Sequence, residues 1–162
     1  MLVDIVSQNG NLLLNFPLPN SGQLDPDELQ VLAGITGWMR VNSEGIYGTR
    51  PWKIYGEGPS TQVQKPGVAF NEASRKPLTA GDVRFTTKGN TLYAFMMGWP
   101  EKEALVQALG TANVHSPGKI LNVELLGHQR HLTWTQEATG LRVQLPMENP
   151  SDYAITMKVA FA

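Results

Sequence analysis

The apolar positions of the first 20 residues predict a short helix followed by a strand. Their spacing in residues 1–8 fits the last turns of an amphipathic helix, and Asn9-Gly10 can adopt the left-handed conformation of a C-cap. Residues 12–16 then form an apolar run that does not alternate, which is typical of a strand covered on both faces. Pro17 and Pro19 would end this strand.

The clearest helix start in the chain lies at Asp25. Asp25 is a good N-cap, Pro26 suits the first helical position, and Glu28 falls where a capping box needs a carboxylate. Apolar positions then follow one helical face to about Arg40. Residues 1–42 are therefore predicted to be a remnant α/β unit, whose strand can be buried only if it has neighbours.

Residues 43–80 show neither a helical nor a strand period and are predicted to cross into a second unit. Residues 43–59 are rich in glycine and proline, and residues 60–80 have the composition of a long surface loop. Aromatic residues in such a segment indicate that it packs against other structure. They are Trp38, at its start, and Tyr47, Trp52 and Tyr55.

After residue 81 the pattern changes to a period of two, which predicts short strands. Val83, Phe85 and Thr87 alternate with other residues before a turn at Lys88-Gly89-Asn90. Further strands are predicted over 92–99, 120–126, 131–136, 141–145 and 153–161, and a short helix or loop over 101–110. The predicted fold is mainly β, with an antiparallel β-sandwich over 81–162 preceded by the strand-helix unit of 1–42 and the crossing segment of 43–80.

Composition narrows the classes of function. The 162 residues carry a net charge of −1, which gives no electrostatic reason to expect nucleic acid or an anionic membrane as a partner. Because cysteine is absent, disulfides, thiolate metal sites and a cysteine nucleophile are excluded. No apolar run approaches the roughly 18 residues of a membrane-spanning helix, and the first residues lack a signal-peptide pattern. The sequence does not assign a compartment.

Two blocks of sequence resemble a known family. The first covers residues 2–7 and 9–15, and the second covers residues 37–42, Glu44 and residues 46–52. They resemble the α-L-fucosidases of glycoside hydrolase family 29, in which the first block enters the last strand of the catalytic barrel and the second leaves its final helix. Ser43 and Gly45 differ from the usual family residues, in a loop. Beyond residue 59 the resemblance is one of layout.

The resemblance implies a (β/α) barrel followed by a C-terminal β-sandwich, and retaining hydrolysis by two carboxyl groups. In the family the Asp nucleophile and the histidines that hold fucose lie on segments that would precede Met1. We therefore expect a C-terminal fragment of an α-L-fucosidase that lacks the nucleophile and is inactive or weakly active alone. The alternative is a non-catalytic β-sandwich module that stabilises a barrel, self-associates or binds carbohydrate weakly.

The acidic residues offer few candidates for a catalytic pair, which in a retaining enzyme lies about 5–5.5 Å apart. Asp4, Glu44 and Glu57 are the candidates outside the helix cap. A structural role is the stronger interpretation for each, because a catalytic carboxylate needs a shaped pocket. The three histidines have no metal-ligand spacing, so neither a metal nor another cofactor is predicted.

Asn15 and Phe16 are candidate substrate-binding residues. They end the predicted strand, and active sites of barrels gather at the C-terminal ends of strands. Phe16 could form an apolar wall against the methyl group of fucose, although packing under the proline loop is the stronger interpretation. The aromatic residues of the sandwich are predicted to be core rather than a sugar-binding face. They are Phe85, Tyr93, Phe95, Trp99, Trp134 and Phe161.

Apolar residues without neighbours predict self-association. If the large apolar side chains of residues 12–14 and 29–32 stayed in water, each would lack about 1.5–3 kcal/mol of burial free energy. We therefore expect a homo-oligomer that forms through residues 1–42, with a fucosylated carbohydrate as a further partner if the chain is active. In the alternative arrangement the helix lies back over the sandwich and the chain is a monomer.

Overall fold

The computed structural model describes residues 1–61 and 77–162, so most of the predicted surface loop lies outside the described residues. Two helices, α1 (Leu2–Ser7) and α2 (Pro26–Asn42), come first, and a 3-10 turn at Ser43–Gly45 follows them. Eight strands lie in the described residues. They are β1 (Arg50–Glu57), β2 (Val83–Lys88), β3 (Thr91–Met96), β4 (Glu103–Val106), β5 (Ile120–Leu125), β6 (Trp134–Gln136), β7 (Leu141–Gln144) and β8 (Ile155–Phe161).

The strands form two antiparallel sheets. The larger has the order β1-β2-β3-β8-β5 and the smaller the order β4-β7-β6. The hairpin of β2 and β3 pairs Lys88 with Thr91 across the predicted turn, where Gly89 has a φ of 57°. The prediction of a mainly β fold with an antiparallel sandwich is confirmed.

The core of the sandwich is formed by the residues that alternate along the predicted strands. Phe85 on β2, Leu92 on β3 and Met157 on β8 are fully buried between the sheets. Trp52 of β1 lies edge-on to Phe85, with 5.1 Å between ring centroids. Trp99, Trp134 and Phe161 pack against this core and are partly buried, as predicted.

The opposite face of the larger sheet is covered by residues 1–46, which we call the N-terminal layer. Tyr93 and Phe95, which alternate with the core residues of β3, are buried against Val3 and contact Trp38 and Ile46. The indole Nε1 of Trp38 donates a hydrogen bond of 2.7 Å to the Ala154 carbonyl. Strand β3 is therefore buried on both faces, and its aromatic residues Tyr93 and Phe95 do not form a free sugar-binding surface.

The helix ends follow the predicted local chemistry. The Asp25 side chain accepts a 3.0 Å hydrogen bond from the Glu28 amide, and Glu28 completes the capping box. α2 continues to Asn42, two residues beyond the prediction. At the end of α1, Asn9 has a φ of 64° and the Gly10 amide bonds the Ile5 carbonyl at 2.9 Å, as a left-handed cap requires.

The prediction of a strand over residues 12–16 is wrong. These residues have no regular secondary structure, and the Leu13 side chain is 85% exposed. A strand buried on both faces needs hydrogen-bonding neighbours, and no strand of the described residues pairs with this segment. The apolar run therefore lies on the surface.

Two further local predictions are corrected. Residues 50–57 were expected to be irregular but form β1, whose register to β2 shifts between Pro51 and Gly56. At Gly56 an added Cβ would lie 2.4 Å from the Val83 carbonyl oxygen, so this close strand approach requires glycine. Residues 101–110, which were predicted to be a short helix or loop, contain β4 and a 3-10 turn at Gln107–Leu109. The strand was missed because four alternating residues are too few to distinguish a strand from a turn.

Candidate functional site

Asp4 joins α1 to the larger sheet. Its carboxylate forms an ion pair with the Nε of Arg84, a residue of β2 whose side chain is only 3% exposed. Arg84 also donates to the Ser60 Oγ at 2.7 Å and lies 5.4 Å from the centroid of the Tyr55 ring. This arrangement balances a buried guanidinium charge with a carboxylate from the N-terminal layer.

Glu44 joins the 3-10 turn to β3 and β8. Its Oε1 accepts a 2.8 Å hydrogen bond from the Tyr93 hydroxyl and forms an ion pair with Lys158. The hydrogen bond from Lys158 is the main cause that lowers the pKa of Glu44. Burial, followed by the hydrogen bond to Glu44, raises the pKa of Tyr93. A carboxylate held ionised by an ammonium group suits a structural contact better than proton donation.

The lowered pKa of Glu44 predicts a loss of stability in acid. Because the folded-state pKa lies below the ordinary value of 4.5, the ionised carboxylate stabilises the fold above that pH. This contribution disappears as the pH falls through the folded-state pKa. Glu44→Gln should cost about 0.5–1 kcal/mol at neutral pH, since the pair is partly solvent-screened. Urea unfolding at several pH values should show a smaller acid dependence in Glu44→Gln than in Glu101→Gln, an exposed control.

Glu57 joins the two sheets. Its carboxylate oxygens accept hydrogen bonds of 2.7 Å each from the Gln107 and Ala108 amides, at the start of a 3-10 turn. Burial raises the pKa of Glu57, and these two backbone hydrogen bonds only partly oppose that shift. Both carboxylate oxygens thus accept hydrogen bonds from main-chain amides of the turn that follows β4.

Neither of two surface cavities contains a pair of carboxylates. The first, of about 300 Å³, is lined by residues 123–131, with Glu124 as its acidic residue. The second, of about 470 Å³, is lined by Arg142 and neutral residues. Asp4, Glu44 and Glu57 line neither cavity. Over residues 1–61 and 77–162 no cluster of side chains has the composition of a metal site, and neither helix has the length and apolar character needed to cross a bilayer.

Comparison with known sequences decides the family. The family described as alpha-L-fucosidase C-terminal domain matches residues 75–160, and the family described as alpha-L-fucosidase matches residues 1–44. The chain belongs to the α-L-fucosidase family. It is 30% identical to the human tissue alpha-L-fucosidase and 29% identical to the mouse one, over 98% of this chain and 30% of each relative. It therefore spans about 30% of the length of these fucosidases.

Solved fucosidases share the fold. Thermotoga maritima alpha-fucosidase superposes with a TM-score of 0.70 at 21% identity, over 98% of this chain and 32% of that chain. Alpha-L-fucosidase isoenzyme 1 of Paenibacillus thiaminolyticus gives a TM-score of 0.68 at 24% identity, over 99% and 33%. These alignments span almost all of this chain, so they include both the N-terminal layer and the sandwich.

The two predicted substrate-binding residues lie on a segment without regular secondary structure. Asn15 is exposed and Phe16 half-buried, both in the irregular segment before α2. Asp4 pairs with Arg84 on β2, Glu44 accepts a hydrogen bond from Tyr93 on β3, and Glu57 accepts one from the turn after β4. The structure therefore groups none of these residues into a site with two opposed carboxyl groups.

The residues of the larger sheet that bind the N-terminal layer were not predicted from the sequence. They are the outward-facing polar residues of the larger sheet, including Arg84, Thr86, Thr156 and Lys158. Thr86 donates to the Gly45 carbonyl at 2.7 Å, and Thr156 donates to the Asn42 Oδ1 at 2.6 Å. A polar residue that alternates with core residues on a strand usually faces water, so the burial of Arg84, Thr86 and Thr156 could not be predicted from the pattern.

Proposed function

We propose that this chain is the C-terminal part of an α-L-fucosidase that releases L-fucose from glycoconjugates, and that it carries no catalytic nucleophile of its own. One observation carries this proposal: Asp4, Glu44 and Glu57 are each engaged in separate structural contacts. The fraction of its relatives that the chain spans agrees with it. Alone, the chain is inactive or weakly active.

The N-terminal layer and the sandwich together support a catalytic barrel in this proposal. The layer is attached to the sandwich by two ion pairs and by buried hydrogen bonds. Leu13 and Leu29 remain exposed on the other side of that layer. A barrel covering them would be oriented by the sandwich beneath. In this proposal Asn15 and Phe16, on the irregular segment before α2, are the residues of this chain that reach its sugar pocket.

The decisive experiment is a turnover assay with 4-nitrophenyl α-L-fucoside and highly purified chain. We expect a rate equal to the uncatalysed background, unchanged by a fucose-mimicking iminocyclitol, because retaining hydrolysis needs two opposed carboxyl groups. Turnover that the mimic inhibits, and that either Glu44→Gln or Glu57→Gln abolishes while Glu101→Gln does not, would refute the proposal.

The second candidate is a non-catalytic module that self-associates or binds carbohydrate weakly. The exposed apolar residues of the N-terminal layer favour self-association when the chain is alone. Calorimetric titration with fucose distinguishes the two candidates, since heat of binding without turnover supports the module.

A further inference from the structure

A cavity of about 300 Å³ lies at one edge of the larger sheet. It is lined by residues 123–131, which form the second half of β5 and the loop that follows it, and none of them belongs to the N-terminal layer. β5 is the last strand in the sheet order, so one of its edges pairs with β8 and the other with no strand of the described residues. The volume is at the lower end of the range of small-molecule sites, roughly 300–1,000 Å³.

The backbone of β5 directs hydrogen-bonding groups to this free edge. The Leu126 amide, directly after the strand, bonds the Thr156 carbonyl of β8 at 3.0 Å. Because the backbone groups of an antiparallel strand alternate in direction, those of Val123 and Leu125 point away from β8. Their side chains are buried in the sandwich core, so both residues present main-chain groups to the cavity.

A tight turn after β5 positions the loop beside this edge. The His128 amide bonds the Leu125 carbonyl at 3.0 Å, and Gly127 has a φ of 84°. A Cβ at Gly127 would lie 2.8 Å from the Cγ1 of Val41, so glycine is required both by the left-handed conformation and by the close approach to α2. The start of the loop is therefore anchored against the end of that helix.

The loop brings one cation and two imidazoles to the cavity. His128, Gln129, Arg130 and His131 all line it, and none of their side chains forms a hydrogen bond or an ion pair with another described residue. The acidic lining residue, Glu124, accepts a hydrogen bond from a neighbouring side chain of β5. The cavity therefore presents polar groups that the chain itself leaves unpaired.

Arg130 differs in this respect from the arginine of the other cavity. Arg142 forms ion pairs with Glu103 and Glu137, which balance its charge. Arg130 forms no such pair with a described carboxylate. A guanidinium binds a carboxylate through two parallel hydrogen bonds, which makes an unbalanced arginine in a cavity suited to an acidic ligand.

We infer that this cavity is a binding site for one acidic monosaccharide, a sugar that carries a carboxylate. The Arg130 guanidinium binds the carboxylate, and His131 and the free main-chain groups of β5 bind the hydroxyls of the ring. Main-chain N–H and C=O groups suit hydroxyls because a hydroxyl both donates and accepts hydrogen bonds. The inference does not rest on the proposed function, because binding of such a sugar involves no hydrolysis of a fucoside.

Solution NMR of the purified chain tests the site, with glucuronate, glucose and inorganic sulfate as probes at constant ionic strength. We expect glucuronate to give saturable amide shifts confined to the lining residues. Glucose lacks the carboxylate and sulfate lacks the hydroxyls, so both should bind more weakly. Arg130→Gln should weaken glucuronate binding at least about tenfold, as expected for loss of a charge-assisted hydrogen bond.

Two further variants separate the cavity from general surface charge. Arg50→Gln removes an exposed arginine of β1, at the opposite end of the larger sheet, and should bind glucuronate like the wild type. His131→Gln changes a second exposed residue of the cavity and should weaken binding about fivefold, as expected for loss of one neutral hydrogen bond.

Four results would each overturn the inference. They are the absence of saturable shifts, binding of glucose or sulfate as tight as that of glucuronate, an unchanged affinity in either cavity variant, and equal effects of Arg50→Gln and Arg130→Gln.

Discussion

Replacing Asp4 by alanine is expected to lower the free energy of unfolding by about 3–5 kcal/mol. The Arg84 guanidinium would then be buried without a balancing charge, because the other described groups that it contacts are the neutral Ser60 hydroxyl, the Val83 carbonyl and the Tyr55 ring. Moving an unpaired charge out of water costs far more than a surface ion pair contributes. The loss should appear in urea unfolding followed by tryptophan fluorescence.

Two further variants separate the buried charge from other effects of the substitution. Asp27→Ala, which removes an exposed carboxylate from α2, should change stability by less than about 0.5 kcal/mol. The double variant Asp4→Leu, Arg84→Met should recover most of the loss, because apolar residues of similar volume can replace a buried pair. A loss in Asp4→Ala no larger than that in Asp27→Ala would contradict this account of the cluster.

The contacts of the N-terminal layer explain how the two regions that match separate family descriptions pack together. The first match ends at residue 44 and the second begins at residue 75, yet Asp4, Asn42 and Glu44 all bind residues of the second. Polar contacts require a defined geometry, unlike apolar packing alone. We therefore expect the sandwich to fix the orientation of whatever packs on the outer side of the layer.

Local chemistry made part of this fold predictable. The start of α2 depends on Asp25, Pro26 and Glu28, which interact within one turn. The β2–β3 hairpin depends on alternating residues and on Gly89, which adopts a left-handed conformation that most residues avoid. Such features need no knowledge of the rest of the chain.

Long-range features were not predictable in the same way. Asp4 and Arg84 are 80 residues apart, so the sequence indicates a structural role for Asp4 but no local pattern identifies its partner. Residues 12–16 have the composition of a buried strand, but composition cannot supply the neighbouring strands that would bury them. The bulge at Gly56 hides the period of β1.

Replacing Phe95 by alanine is the other change with a large expected effect, about 3–5 kcal/mol. Its fully buried ring lies between the larger sheet and the N-terminal layer, 6.3 Å from the Trp38 ring centroid. The cavity would lie under the layer rather than in the sandwich core. We therefore expect faster amide hydrogen exchange in α2 and a red shift of Trp38 fluorescence. Leu13→Ala, at an exposed position, should change neither.

A substitution at Gly45 tests this packing independently of how much unfolding free energy Phe95→Ala removes. A Cβ at Gly45 would lie 2.7 Å from the Phe95 ring, so Gly45→Ala should destabilise the wild type by about 1–3 kcal/mol. In the Phe95→Ala background the same methyl group enters vacated space, and its cost should vanish or change sign. Equal effects of Gly45→Ala in both backgrounds would mean that the 3-10 turn does not pack on Phe95, because residues in contact are not additive.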